Sequence, residues 1–113
     1  MATRSSTEAL QKLHQVLRLE HPLKVLTLLV RQVRLLLGMQ SFRREGGNLS
    51  EAPRVLGIKP YEAQKLWQQS ARLSWDQLAQ ALEECLNTEL AIKNGKGEAD
   101  FLLELMIARF CSF

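Results

Sequence analysis

The chain has 113 residues, of which 46% are hydrophobic and 24% charged, and its formal net charge is +3. That length supports one domain with a real core, and that composition is ordinary for a soluble globular fold, which argues against disordered and disulfide-stapled classes. The 15 Lys and Arg are dispersed, adjacent only at Arg43-Arg44, so there is no dense basic block of the kind that binds nucleic acid without further structure. Cys85 and Cys111 form no Cys-x-x-Cys pair, no apolar leader opens the chain, and both cysteines read as small buried apolar residues in a reducing, cytoplasmic setting.

In chain order, residues 1–4 read as an unstructured start, and Ser5-Ser6-Thr7-Glu8 as a capping box that opens a first helix running to about Leu19. His21-Pro22 opens a second, with Pro at the first helical position, where its missing N–H costs nothing. This helix is predicted to reach Arg44. Its polar residues Lys24, Thr27, Arg31, Arg34 and Ser41 form one narrow stripe, and most of the remaining surface is apolar, as in the central helix of a bundle. Charges inside Leu23 to Met39 make it a poor membrane span. Gly38 lies on the polar stripe, where a bend is expected.

Glu45-Gly46-Gly47-Asn48 is the clearest loop. A short helix is expected over 50–56, with Pro53 in its first turn and Gly57 as a left-handed cap. Pro60 starts the next helix, with Ala63, Leu66, Trp67 and Ser70 on one face. Ser74-Trp75-Asp76-Gln77 is a second capping box, and the helix it opens runs to about Lys93. Its apolar face is Trp75, Leu78, Ala79, Leu82, Cys85, Leu86 and Leu90. Asn94-Gly95-Lys96-Gly97 breaks the chain before a last helix over 98–111. That helix is apolar in three ribbons, too much for a single contact, so it either plugs the core or offers one ribbon to another protein. No stretch alternates with period two and no internal repeat appears, so the expected fold is all-α, a single bundle of five to six helices over 5–113.

The chemistry-bearing residues form no catalytic constellation. Gly46-Gly47 and Gly95-Lys96-Gly97 lack the spacing of a phosphate-binding loop. His14 and His21 have no third ligand at metal-binding spacing. Ser74 is a cap, and Glu83-Glu84 fall on a wet helical face. No metal or cofactor is expected. Leu56-Gly57-Ile58-Lys59-Pro60-Tyr61 has the outline of a helix-turn-helix corner, which keeps a DNA-binding domain open as an alternative, beside a helical adaptor. Against DNA reading, Pro53 stands where two closely crossing helices want a small residue, and Glu62 would face phosphates in the first turn of the reading helix.

Across about a hundred residues the chain resembles the C-terminal domain family of the DNA polymerase III delta subunit, from the bacterial sliding-clamp loader. Three stretches carry the likeness. The first is Leu26 and Leu29 leading into Gln32-Val33-Arg34-Leu35-Leu36-Leu37. The second holds Gly57-Ile58-Lys59-Pro60, Ser70-Ala71-Arg72 and Glu89-Leu90-Ala91-Ile92-Lys93. The third is the closing segment "FLLELMIARF". In the Asn94–Gly97 break this chain departs from the charged residue that family members often carry. The resemblance implies a non-catalytic collar domain, part of a longer subunit, whose collar packs against those of gamma/tau-type and delta-prime-type subunits in a ring. It implies a delta subunit without a working ATP site, contact with the sliding clamp only through an N-terminal part, indirect or weak contact with DNA, no membrane, and a cytoplasmic, nucleoid-associated place in replication. On that reading Leu102, Met106, Arg109 and Phe113 form the ribbon that meets a neighbouring subunit, and Lys93 and Lys96 approach DNA phosphates.

Overall fold

Pro22 to Arg44 forms α1, a 23-residue helix with the predicted bounds. In the computed structural model, which describes Gln11, Gln15 and residues 17–110 without the Phe110 side chain, it is followed by α2 (Ala52–Leu56), α3 (Pro60–Ser70), α4 (Trp75–Lys93) and α5 (Ala99–Phe110). Among the described residues there is no strand, so the fold is all-α as expected. Residues 1–4, the Ser5–Glu8 capping box, Cys111 and Phe113 lie outside the described residues. Gln11, Gln15 and Leu17 are helical, and Arg18–Glu20 turn toward α1.

The helix ends follow local chemistry. His21 is the cap of α1, since its ring Nδ1 accepts the Leu23 N–H at 3.1 Å and satisfies one of the orphan donors of the first turn. At the start of α4 the capping box is reciprocal. The Gln77 N–H donates to Ser74 Oγ at 3.0 Å and the Ser74 N–H to Gln77 Oε1 at 2.9 Å. α2 ends at Gly57, in the left-handed region at φ 68°, and the Ile58 N–H returns to the Pro53 carbonyl at 3.0 Å. A residue with a Cβ is strained there, which is why the chain stops its helix at this glycine. α4 closes in the same way, with the Lys96 N–H on the Ala91 carbonyl at 3.0 Å and the Gly95 N–H on that of Ile92 at 3.2 Å.

The chain divides into two compact units, Met1–Val30 with Glu83–Phe113, and Arg31–Leu82. In the first, Val25 and Leu26 of α1, Cys85 of α4, and Leu103 and Met106 of α5 form a buried cluster, with Leu29, Val30, Ile92 and Ile107 packed against it. Each large side chain so buried contributes about 1.5–3 kcal/mol. The remaining part of α4 in this unit departs from expectation. Leu86 is 40% and Leu90 59% exposed. The side chains taken inside are Cys85, Thr88 one turn on and, in part, Ile92, one heptad on from Cys85. Leu86 stands a further 100° round the helix from Cys85, which carries it off the buried stripe.

In the second unit Leu36 and Met39 of α1 pack with Ala52 of α2, Ala63 and Leu66 of α3, and Leu78 of α4. Ala63, Leu66 and Ser70 are buried and Trp67 half-buried, the face of α3 read from the sequence. The small residue at the helical corner is Ala52, fully buried, while Pro53 is only half-buried in the first turn. Pro53 therefore does not occupy the closest-packed position. Gly38 stays within α1, which runs as helix to Arg44. Its missing side chain instead admits Leu56, whose Cδ2 would lie 3.3 Å from a Cβ placed there. Arg31 of α1 grips Glu62 of α3 through Nη1 at 2.9 Å and Nη2 at 3.4 Å. Trp75 and Ala79, assigned to the apolar face of α4, are exposed. α1 is apolar and long enough to cross a membrane, and Val25, Leu26, Leu36 and Met39 of it are buried in the two cores.

Candidate subunit-contact surface

Twelve residues of α5 carry two charged groups in the first and last turns, Asp100 and Arg109, and a largely apolar middle. With 100° per residue, Leu103, Met106 and Ile107 share one side, and that side faces inward: Leu103 is fully buried and Met106 1% exposed. Opposite them Phe101 is 59% and Leu105 41% exposed, one turn apart and in line with Arg109. Arg109 Nη1 donates to Glu84 of α4 at 2.9 Å, which ties the end of α5 to α4. With Arg109 exposed and Glu84 half-buried at the surface, the pair adds about 0–1 kcal/mol to stability. Its stronger effect is to fix where the guanidinium sits.

The predicted contact ribbon is thus corrected at its centre. Met106 belongs to the core with Leu26, Cys85 and Leu103, because the apolar ribbon that contains it is the one facing α1 and α4. Leu102 is half-buried, with its side chain 3.4 Å from a Cβ placed on Gly97. Arg109 is exposed. Phe113 lies outside the described residues. The exposed apolar pair Phe101 and Leu105 sits in a ribbon the sequence also contains, but three apolar ribbons on one helix gave no signal for which would face outward.

Lys93 and Lys96 stand at the end of α4. Lys93 Nζ is 3.7 Å from Glu89 Oε1, and it occupies the last turn, where positive charge opposes the helix dipole. Lys96 is exposed in the closing loop, held by its backbone N–H. At the helical corner, Glu62 is taken by Arg31, whose guanidinium holds this carboxylate below the usual range through their hydrogen bond, while Glu62 in turn raises Arg31. The first-turn acid of α3 is therefore a structural partner of α1. Among the described residues, no three His, Cys, Asp or Glu side chains gather as metal ligands.

Cys85 is fully buried and its thiol is pushed up to about 11, first by burial and then by the neighbouring Glu84 charge. The folded chain thus favours the protonated thiol. Its contribution to stability is complete below the ordinary value of 9.0 and is lost as pH rises toward about 11. In a Cys111→Ser background, Cys85 should resist a thiol reagent at pH 8 while the chain is folded and react fully in urea. Rapid labelling of the folded chain would contradict the burial.

The model of the family described as DNA polymerase III delta subunit, C-terminal domain, matches residues 1–110. The chain is 27% identical over 108 residues to the DNA polymerase III subunit delta of Bacillus subtilis (strain 168), covering 95% of this chain and 31% of that protein. Its structure is similar to that of the Bacillus subtilis DNA clamp loader delta protein, with a TM-score of 0.87 and 28% identity, covering 99% of this chain and 33% of the other. The chain spans about a third of the length of these relatives. With an all-helical fold and a family match over nearly its whole length, the chain belongs to the C-terminal domain family of the DNA polymerase III delta subunit.

Proposed function

We propose that this domain holds a delta subunit in the clamp loader by packing its α5 surface against the helical C-terminal domains of other loader subunits, of the gamma/tau and delta-prime types, in the cytoplasm. The observation that carries this reading is the division of α5. One side, with Leu103 and Met106, fills a core, while Phe101 and Leu105 are exposed beside Arg109. Aromatic and Arg side chains are the groups that most often anchor protein interfaces. Leu102 adjoins this surface in sequence and is half-buried. The role is assembly without catalysis, so the opening of a sliding clamp falls to the two-thirds of the relatives that this chain does not span.

The test is co-purification with a gamma-type loader subunit. Phe101→Asp with Leu105→Asp should abolish capture, a loss of at least a hundredfold in affinity, and leave the helical circular dichroism of the chain intact. Undiminished capture by the folded double variant would sink the assignment of this surface. Absence of capture by the unaltered chain would sink the assembly role.

A further inference from the structure

The chain contains two tryptophans, and each lies under an arginine from the last turn of α1. The Arg43 guanidinium is 4.5 Å from the Trp67 ring centre and that of Arg44 is 5.5 Å from that of Trp75. The two stacks are not equivalent. Arg43 is spent on the fold, donating through Nη1 to the Trp67 carbonyl at 3.0 Å and to Ser70 Oγ at 3.3 Å. Arg44 is exposed, and among the described residues no carboxylate lies within ion-pair distance of it. Stacking uses the flat face of a guanidinium and leaves its edge, with its N–H donors, free for a planar anion.

Arg44 opens onto a surface hollow that Trp75 and Leu73 also line, and these are 41% and 37% exposed. The hollow therefore joins one uncommitted cation to two apolar surfaces. We propose that it is a docking site for an acidic peptide segment of a protein partner, a carboxylate taking the Arg44 edge and an adjacent apolar side chain covering Trp75 and Leu73. Charge complementarity favours a single carboxylate over a polyanion. Glu45 and Asp76 are the direct sequence neighbours of Arg44 and Trp75, and both are exposed, so a run of phosphates would meet them as well as the arginine. The hollow shares no residue with the α5 surface and does not rest on its role.

The experiment follows the two indole N–H resonances of the 113-residue chain by nuclear magnetic resonance during titration with acetyl-Glu-Phe-Leu-amide. The Trp75 resonance should shift saturably. The Gln counterpart, acetyl-Gln-Phe-Leu-amide, should bind at least tenfold more weakly. Arg44→Gln should weaken the acidic peptide at least fivefold while the spectrum otherwise stays that of the folded chain. An absent shift, equal response to both peptides, or unchanged binding by Arg44→Gln each overturns the proposal. Tighter binding of an eight-residue oligothymidylate to the same resonances overturns it in favour of nucleic acid.

Discussion

Met106→Asp is expected to unfold the first unit. Met106 is 1% exposed and packed with Leu26, Cys85 and Leu103, so a carboxylate there has neither water nor a partner. A small domain holds about 5–15 kcal/mol in all, and an unpaired buried charge costs several kcal/mol on top of the lost packing of the thioether. Met106→Leu, close in volume, should cost less than about 1.5 kcal/mol. Leu105→Asp, one residue earlier but 41% exposed, should stay within about 0.5–1 kcal/mol of the unaltered chain. Urea unfolding followed by circular dichroism at 222 nm separates the three. A folded Met106→Asp with an unchanged midpoint would place Met106 outside the core and return it to the contact surface.

The second large effect is expected at Arg43. α3 ends at Ser70 without a glycine, and Ala71 continues in right-handed conformation at φ −70°. The Gln69 carbonyl accepts the Arg72 N–H at 3.1 Å and Ser70 Oγ donates back to the Trp67 carbonyl at 2.9 Å, but the Ser70 carbonyl gets no such local donor. Side chains of α1 supply further donors. Arg43 takes the Trp67 carbonyl, and Gln40 Nε2 takes the Ser70 carbonyl at 2.9 Å and that of Leu73. The positive charge also lies at the negative end of the α3 dipole. Hydrogen bonds to charged groups contribute about 1.5–3 kcal/mol and a stacked cation about 0.5–1. Arg43→Ala should thus lower stability by about 2–3 kcal/mol. Arg43→Lys should recover part of this, since it keeps the charge but neither the fork nor the flat stacking face. A loss under about 0.5 kcal/mol for Arg43→Ala would show that the end of α3 is solvated rather than capped.

Local signals were legible where one residue acts on its own neighbours. Pro22 and Pro60 at helix starts, Gly57 and Gly95 at helix ends, and Ser74 with Gln77 all behave as their short-range chemistry dictates. The face of α3 was legible because its apolar positions form one stripe against glutamines and a lysine. The last helix was not, because its apolar positions run all round it. Period alone cannot say which of Phe101, Leu102 or Leu103 turns inward when each begins a ribbon. That choice is made by the partners it meets, Leu26 and Cys85, more than 15 residues away in the chain. The same holds for Gly38, a break in isolation and a seat for Leu56 in the fold, and for His21, whose ring nitrogen caps a helix although histidine is a poor sequence signal for a cap. The family resemblance, by contrast, rested on order and spacing along the whole chain, and the family match over residues 1–110 agrees with it.

α1 serves both clusters without interruption, Val25 and Leu26 in one and Leu36 and Met39 in the other. The amides around Val25 and Leu26 therefore exchange with the opening of the first cluster, and those around Leu36 and Met39 with the opening of the second, so deuterium uptake along this one helix reads the stability of each cluster separately.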